Sequence, residues 1–264
     1  MNRVTVSRLR RMKQEGEKIV SLTAYDASFA RLMEDAGVEV ILVGDSLGMV
    51  VQGQSSTIPV TLDDMVYHTQ AVSRGTRDSL LIADMPFASY GSCQQALAGA
   101  ARLMQEGGAQ MVKLEVNGGM TETVRFLAQR GVPVCAHLGL LPQTVHKLGG
   151  YKVQGRGEAG EALVRDAKAM EAAGADLIVV ELIPVDVAKR ISESVSIPVI
   201  GIGAGVNCDG QVLVLYDMMG ITPGKRPRFS KDFLAETGSI PAALRAYVES
   251  VKEGHFPGAE HLIA

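Results

Sequence analysis

Polar residues end five short apolar segments of this sequence. The segments, each with its last residue, are VEVILVGD with Asp45, LLIAD with Asp84, QMVKLE with Glu115, VPVCAH with His137 and DLIVVE with Glu181. One such residue can simply mark where a strand reaches solvent, but four carboxylates and a histidine in equivalent places favour a functional site. If the segments are neighbouring parallel strands, these side chains meet at the mouth formed by the carboxyl ends.

Lys113 and Glu115 lie two residues apart on one predicted strand, so both side chains point to the same side. If the apolar residues between and beside them face helices, these charges face the interior, where they are costly unless paired or metal-bound. One interpretation is a structural ion pair of Lys113 with Glu115 or Asp84. The other is a cation among the carboxylates, and oxygen ligands without a cysteine or histidine cluster favour Mg²⁺ over zinc.

Short apolar runs alternate with amphipathic stretches along the whole chain. We predict strands over 19–26, 38–45, 80–84, 110–115, 132–137, 176–181, 198–205 and 211–217. Their nearly continuous Val, Ile and Leu content is typical of parallel strands buried on both faces. The stretches between them have helical spacing, and glycines at 37, 108, 131 and 174 stand where a helix would end before the next strand.

Eight strands with intervening helices predict an α/β fold, a (β/α)8 TIM-type barrel forming a single domain over residues 1–264. A doubly wound sheet would use about five or six strands and leave the others unexplained. We expect an N-terminal segment over 1–18, and a C-terminal helix over about 230–252 with a tail to 264. The glycine-rich stretch 138–160 is either a lid over the site or an ordinary surface loop.

Composition narrows the class of protein. The 264 residues carry 26 Lys and Arg against 29 Asp and Glu, for a net charge of −3, which argues against a nucleic-acid-binding protein. Three separated cysteines suit a reducing compartment and offer neither a disulfide framework nor a thiolate zinc site. The N-terminus has no apolar signal region, and no apolar run is long enough to span a membrane. We therefore expect a cytoplasmic protein.

Three weaker features have ordinary explanations as well. GIGAG at 201–205 lacks the third glycine of the dinucleotide fingerprint, since Val206 stands there, so close helix–strand packing explains it as well as a phosphate site does. His68 lies in a helical pattern and is expected to be a surface or packing histidine. The basic residues of the long loop (Lys147, Lys152 and Arg156) can simply form a solvated face.

Several longer motifs occur in order along the chain. They are SLTAYDASFA (21–30), VGDSLGMVVQG (43–53), ADMPFASY (83–90), VKLE (112–115), HLGLLPQ (137–143), GGYKVQGRG (149–157) and PVIGIGAG (198–205). Together they resemble the ketopantoate hydroxymethyltransferase family, from about Ser21 to about Pro257. None of the motifs would be convincing alone, whereas the ordered set is highly specific.

The resemblance implies a TIM-type barrel that acts on 2-oxoisovalerate with 5,10-methylenetetrahydrofolate, in the pathway to pantothenate and coenzyme A. It also implies a homo-oligomer, often a decamer, with no nucleic-acid or membrane partner. By motif it implies Mg²⁺ ligands at Asp45, Asp84 and Glu115, oxoacid binding at Asp45, Ser46, Asp84 and Lys113, a proton acceptor at Glu181 and a site histidine at His137.

The chemistry of these residue types agrees with that expectation. A 2-oxoacid can chelate Mg²⁺, which then polarises the carbonyl and stabilises the enolate formed when the C3 proton leaves. A positioned carboxylate removes the proton, and the enolate attacks the one-carbon unit of the folate. Lys113 would supply a fixed positive charge near the oxoacid. No flavin, nicotinamide or pyridoxal is needed.

Two other functions remain open at this stage. One is a different Mg²⁺ barrel enzyme acting on oxoacids, such as a relative of phosphoenolpyruvate mutase or isocitrate lyase. The Lys-Cys-Gly motif of the lyases is absent, because the residues before the three cysteines are Ser92, Val134 and Asn207. The other is an oligomeric binding protein that retains the site without turnover.

Overall fold

Parallel strands close into one barrel in the computed structural model, which describes residues 3–222 and 224–262. In chain order the strands are β1 (Ile19–Thr23), β2 (Val40–Val43), β3 (Leu80–Asp84), β4 (Met111–Glu115), β5 (Val134–Gly139), β6 (Leu177–Glu181), β7 (Val199–Ile202) and β8 (Gly210–Leu213). Each strand pairs in parallel with the next, and β8 pairs with β1. The predicted (β/α)8 barrel is therefore confirmed, with each strand where the sequence predicts one.

The strand register places the predicted site residues side by side. Asp84 of β3 stands opposite Lys113 of β4, and Glu115 of β4 stands opposite His137 of β5. All of β1, β2, β3 and β4 are buried along their length, as their continuous apolar sequences require. Residues that are far apart in the sequence are therefore neighbours at the ends of adjacent strands.

Helices lie between most of the strands and at both ends of the chain. They are α1 (Val6–Glu15), α2 (Ala27–Ala36), α3 (Leu47–Val50), α4 (Leu62–Gly75), α5 (Cys93–Gln105), α6 (Thr121–Ala128), α7 (Val145–Leu148), α8 (Glu158–Ala173), α9 (Val185–Ser194), α10 (Leu215–Met218), α11 (Phe233–Thr237) and α12 (Ile240–Lys252). Short 3-10 turns occur at Gly118–Met120, Pro142–Thr144 and Ala259–His261. Gly37 and Gly174 end α2 and α8 in the left-handed conformation, as predicted, at φ of 95° and 103°. Within the described residues, no helix is long and apolar enough to cross a membrane.

The N-terminal segment 1–18 contains α1, which packs across the end of the barrel opposite the predicted site. Leu9 and Met12 are buried there, and Lys13 forms an ion pair of 2.8 Å with Asp209, just before β8. Residues 1–2 of this predicted segment, like residues 263–264 of the predicted tail, lie outside the described residues.

Several predicted bounds are wrong, and the strands predicted over 19–26, 38–45 and 198–205 end earlier, at Thr23, Val43 and Ile202. The single helix over 230–252 is two helices, because Gly238 adopts φ of 73° and ends α11 before α12 begins. The stretch 138–160 is not irregular throughout, since it contains a 3-10 turn, α7 and the start of α8. The strand predicted over 211–217 stops at Leu213, because the N–H of Leu215 donates to Thr23 Oγ1 at 2.9 Å and α10 starts there.

Candidate active site

A cavity of about 550 Å³ opens at the mouth formed by the carboxyl ends of the strands. That volume lies within the range of about 300–1,000 Å³ that is typical of ligand sites. The structure brings every predicted site residue to its wall: Asp45, Ser46, Asp84, Lys113, Glu115, His137 and Glu181. The predicted convergence of these strand ends is thus confirmed.

Lys113 forms an ion pair with Asp84, one of the two partners that the sequence left open. Nζ of Lys113 lies 2.6 Å from Asp84 Oδ1, and both side chains are buried. Burial opposes the charge of Lys113, but the carboxylates of Asp84 and Asp45 raise its pKa above the ordinary lysine value. Lys113 is therefore a fixed cation at neutral pH.

His137 lies between this cation and Glu181. Its Nδ1 is 3.3 Å from Lys113 Nζ, and its Nε2 is 3.1 Å from Glu181 Oε2. Burial, reinforced by the charge of Lys113, holds the pKa of His137 well below the usual value, so the ring is neutral. With Nδ1 accepting from the ammonium group, the ring proton belongs on Nε2.

Glu181 lines the cavity, and its carboxyl group is a weaker acid than an ordinary glutamate. Burial raises its pKa to about 8, although Lys113 acts in the opposite direction. The contact with His137 does not meet hydrogen-bond geometry, so Nε2 is a buried polar atom without a hydrogen-bond partner. Such an atom is available to a ligand in the cavity.

Gln143 organises the acidic residues, and the sequence analysis did not single it out. Its backbone N–H lies 3.0 and 3.1 Å from the two carboxylate oxygens of Glu115. Its side-chain amide donates to Asp45 Oδ2 at 2.8 Å and to the carbonyl oxygen of Met85 at 3.0 Å, while Tyr90 donates to its Oε1. The available signal was a lone amide at the end of the apolar motif HLGLLPQ.

The carboxylates disfavour one another's charge. Burial, and then the charge of Asp84, raises the pKa of Asp45 to about 7. Burial, and then the charge of Asp45, raises the pKa of Glu115 to about 9. Two of the three acidic groups thus carry an electrostatic penalty that a cation in the cavity would relieve.

Asp45, Asp84 and Glu115 fit a hard divalent cation by their chemistry. They supply oxygen donors, and Asp84 Oδ1 is buried with the Lys113 ion pair as its neighbour but without a hydrogen bond. Within residues 3–222 and 224–262, no three His, Cys, Asp or Glu side chains are already grouped closely enough to hold a metal. A bound ion would therefore have to draw these side chains together.

The backbone beside Glu181 is unusual. Gly139, paired with Glu181 across the β5–β6 ladder, has φ of 95°, and a Cβ added to it would lie 2.3 Å from the Glu181 carbonyl oxygen. Leu182, the next residue after Glu181, has φ of 47°, which is uncommon for a side chain of its size. Backbone strain at a residue such as Leu182 persists only where the surroundings hold it in place.

Part of the stretch 138–160 covers the site. Gln143 lies on the acidic residues, and Tyr151 lines the cavity and donates to Met49 Sδ at 3.4 Å. Lys147 and Lys152 are exposed, as expected for a solvated face. The lid interpretation is favoured over that of an ordinary surface loop, because this stretch supplies side chains to the cavity.

The other features singled out in the sequence belong to packing. His68 Nδ1 lies 2.8 Å from the carbonyl oxygen of Tyr25, so this residue is the predicted packing histidine. In GIGAG, a Cβ added to Gly205 would lie 2.9 Å from the side chain of Val185 on α9. The glycine therefore permits close packing of the segment after β7 against α9.

Comparisons with known proteins were made for the whole chain. A family model described as Ketopantoate hydroxymethyltransferase matches residues 3–259. A 3-methyl-2-oxobutanoate hydroxymethyltransferase from Alkalilimnicola ehrlichii is 60% identical over 259 residues, covering 98% of this chain and 94% of the relative. A protein of the same name from Nitrosococcus oceani is 58% identical over 258 residues, covering 97% of this chain and 98% of the relative.

Solved structures of low sequence identity share the barrel. A 2,3-dimethylmalate lyase, described as a member of the PEP mutase/isocitrate lyase superfamily, superposes with a TM-score of 0.59. The two chains are 17% identical, and the match covers 98% of this chain and 91% of the lyase. At that identity the similarity shows the fold alone.

Proposed function

Because the chain belongs to the ketopantoate hydroxymethyltransferase family, we propose that it converts 2-oxoisovalerate into ketopantoate with 5,10-methylenetetrahydrofolate as the one-carbon donor. Family membership makes it an enzyme, a hydroxymethyltransferase of pantothenate biosynthesis. The proposed chemistry depends on one observation: the carboxyl group of Glu181 lines the same cavity as the cation of Lys113 and the acidic residues. A proton acceptor and a site for a negatively charged oxoacid thus occur together.

We assign Asp45, Asp84 and Glu115 to a Mg²⁺ site, with Gln143 holding two of these three carboxylates in place. When bound, Mg²⁺ supplies Lewis acidity at the keto group of the oxoacid. Carboxylates alone would repel an anionic oxoacid, so Asp45 and Asp84 would serve substrate binding through the ion that they hold.

The oxoacid is bound by groups of complementary charge and by hydrogen-bond donors. Lys113 offers its ammonium group to the negatively charged end, and its pairing with Asp84 fixes its position. Ser46 stands at the cavity wall, where its Oγ lies 2.9 Å from Oη of the buried Tyr25. The unpartnered Nε2–H of His137 is a further donor toward an oxoacid oxygen.

Glu181 removes the C3 proton in the proposed reaction. Its raised pKa makes the ionised form a stronger base than an ordinary glutamate, and its neighbour His137 is neutral and does not compete for the proton. Lys113 stabilises the negative charge that develops on the oxoacid oxygens. Water releases the methylene carbon of the folate as a one-carbon carbonyl unit: both of its C–N bonds break, and the two nitrogens take the two protons of the water. The C3 carbon then bonds to that carbonyl carbon, and the new hydroxyl oxygen takes the proton that Glu181 removed.

The proposed assembly and location follow from the family. We propose a homo-oligomer, as the decamer common in the family suggests, located in the cytoplasm, where its three free cysteines would stay reduced. Light scattering of the purified protein tests the assembly, and a monomer would contradict it.

Proton exchange at C3 of 2-oxoisovalerate tests the proposed chemistry directly. In D2O with Mg²⁺ and without folate, NMR should show loss of the C3–H signal, and adding 5,10-methylenetetrahydrofolate should then yield ketopantoate by mass spectrometry. Bond cleavage of an oxoacid without any need for folate would instead indicate a lyase of the phosphoenolpyruvate mutase type. Oxoacid binding without exchange would indicate a binding protein.

A further inference from the structure

Two motifs of the sequence end on residues that contact each other beside the acidic residues. ADMPFASY ends with Tyr90, in the loop between β3 and α5, and HLGLLPQ ends with Gln143, in the 3-10 turn after β5. The hydroxyl group of Tyr90 donates a hydrogen bond to Oε1 of Gln143. Neither residue is among the described residues that line the cavity. Their effect on a ligand in the cavity would therefore be indirect.

Both polar atoms of the Gln143 amide have partners. Nε2 donates to Asp45 Oδ2 at 2.8 Å and to the carbonyl oxygen of Met85 at 3.0 Å, while Oε1 accepts from Tyr90. A glutamine amide has two N–H donors and one carbonyl acceptor, so both donors are used and the acceptor is satisfied. Because Gln143 is buried, an amide oxygen left without its donor would carry an uncompensated desolvation cost.

Only one orientation of this amide suits its neighbours. If the amide were turned over, its oxygen would face Asp45 Oδ2 and the Met85 carbonyl oxygen, which are both acceptors, and neither hydrogen bond could form. In the orientation found, Gln143 engages Oδ2 of Asp45, whereas Oδ1 forms no hydrogen bond with the described residues. The backbone N–H of Asp45 in turn donates to Asp84 Oδ2 at 3.0 Å. The amide thus fixes Asp45 with one oxygen left for a cation.

The loop that carries Tyr90 is held at both ends. At its start, the N–H of Met85 donates to the carbonyl oxygen of Lys113 at 2.7 Å. Further along, Gln95 Nε2 on α5 donates to the carbonyl oxygen of Ala88 at 2.9 Å. Ala88 has φ of 62°, which is uncommon for a residue other than glycine and persists only where the surroundings hold it in place. The position of the Tyr90 hydroxyl is therefore set by the fold.

We propose that Tyr90 is a positioning residue of the Mg²⁺ site, acting through Gln143 on the orientation of Asp45. Its hydroxyl satisfies the amide oxygen, and the amide then presents its N–H groups to Asp45 and to the Met85 carbonyl. Partners that orient metal ligands in this way typically contribute about 10–100-fold to metal affinity. The inference rests on the proposed function and extends its cation site to two residues behind the ligands.

Gln143→Met and Tyr90→Phe test the two parts of this contact. Methionine keeps the length of the side chain without the amide, and the backbone N–H to Glu115 is retained, so Mg²⁺ affinity should fall about 10–100-fold. Tyr90→Phe removes one hydroxyl group, and Mg²⁺ affinity should fall about 3–10-fold, as expected for one hydrogen bond. Calorimetric titration of the protein with Mg²⁺, without oxoacid or folate, measures both.

The double variant shows whether Tyr90 acts through Gln143. Adding Tyr90→Phe to Gln143→Met should leave Mg²⁺ affinity within about twofold of that of Gln143→Met alone, because no amide remains to be held. If Tyr90→Phe weakened Mg²⁺ binding equally in the parent and in Gln143→Met, the two residues would act independently, and the proposal would be overturned.

C3 exchange supplies a second measurement. In Tyr90→Phe, the Mg²⁺ concentration for half-maximal exchange should rise by the same factor as the Kd for Mg²⁺. The maximal rate at saturating Mg²⁺ should stay within about twofold of parental, because the reacting groups are unchanged. Tyr67→Phe on α4 and Gln105→Met at the end of α5, both exposed, are the matched controls and should change neither quantity.

The outcomes distinguish this proposal from the proposed function. Parental Mg²⁺ affinity in folded Tyr90→Phe would overturn the role of Tyr90, even if its melting temperature were lower, since a purely structural contact changes stability alone. If Gln143→Met does not fold, Gln143→Asn replaces it, because its shorter amide does not reach Asp45 and should give a similar loss. A parent protein that shows neither Mg²⁺ binding nor C3 exchange would instead overturn the proposed function.

Discussion

Replacing Glu181 by Gln separates proton removal from binding. Glutamine keeps the shape of the side chain beside His137, whose Nε2 lies 3.1 Å from Glu181 Oε2, but it is a far weaker base. Loss of a general base costs about 10²–10⁴ in rate. We therefore expect Glu181→Gln to lose C3 exchange and hydroxymethyl transfer by a similar factor within that range, while 2-oxoisovalerate binding stays close to parental.

The pKa of Glu181 also predicts how the rate of C3 exchange depends on pH. The reactive form is the ionised one, so the rate rises with pH through the pKa. With a pKa of about 8, roughly one-tenth of Glu181 is ionised at about pH 7 and roughly three-quarters at about pH 8.5, so kcat/KM for exchange should rise by up to about eightfold over that interval. Bound Mg²⁺ favours the ionised form and moves the midpoint to lower pH.

His137 does not contribute to this rise, and bound Mg²⁺ would keep Asp45 and Glu115 ionised across the interval. The pKa of His137 is held well below its usual value of 6.5, so the ring stays neutral throughout the interval and adds no change in rate. In Glu181→Gln the rise should disappear along with the bulk of the activity.

NMR measurement of C3 deuterium incorporation, with Mg²⁺ and without folate, is the assay. Glu161→Gln, an exposed glutamate paired with Arg190 on the outer surface, is the matched control and should keep both the rate and the rise. Exchange at the parental rate in Glu181→Gln would refute the assignment of the base. If exchange survived while transfer alone failed, Glu181 would act on the folate side, and His137 would be the first candidate for the base.

Substitutions at three other positions probe the rest of the site. Asp84→Asn should weaken Mg²⁺ binding and oxoacid binding together, as measured by calorimetry. In the parent protein, EDTA should abolish activity until Mg²⁺ is added back. Full activity of the metal-free protein would show that the reaction does not need the metal. The same variant leaves Lys113 without its buried partner, which should cost about 3–5 kcal/mol of unfolding free energy in denaturant titrations. Lys113→Met should raise the oxoacid KM and lower kcat, and Lys113→Arg should not restore them because a planar fork replaces a point charge; parental kinetics in the Met variant would leave only the ion-pair role. Gly139→Ala should lower both the melting temperature and kcat, since its Cβ would lie 2.3 Å from the Glu181 carbonyl oxygen, and an unchanged melting temperature would contradict that clash.

The barrel and the convergence of the site could be predicted from the sequence because both depend on local patterns. Buried parallel strands need continuous apolar runs, and helix ends need residues such as Gly37 that tolerate positive φ. Once the strands are placed in order, the fold itself brings their last residues to one mouth. Asp84, Lys113 and Glu181 could therefore be chosen before any coordinates were known.

Contacts between distant segments could not be predicted in this way. The sequence left open whether Lys113 pairs with Asp84 or Glu115, and the strand register decided it. It gave no reason to single out Gln143, whose bonds to Asp45 and Glu115 depend on how a loop folds back over the mouth.

The residues after β8 are the clearest example of a contact that the sequence could not predict. The apolar pattern of 211–217 favours a strand, and a strand would have pointed its residues alternately in and out of the barrel. Instead the Thr23 hydroxyl, 192 positions away, accepts from Leu215 N–H and the chain turns into α10, which carries Asp217 to the cavity. Local periodicity determined which elements form and in what order, whereas hydrogen bonds across the barrel mouth decided where those elements stop and which side chains meet, because such bonds join residues that no short sequence pattern relates.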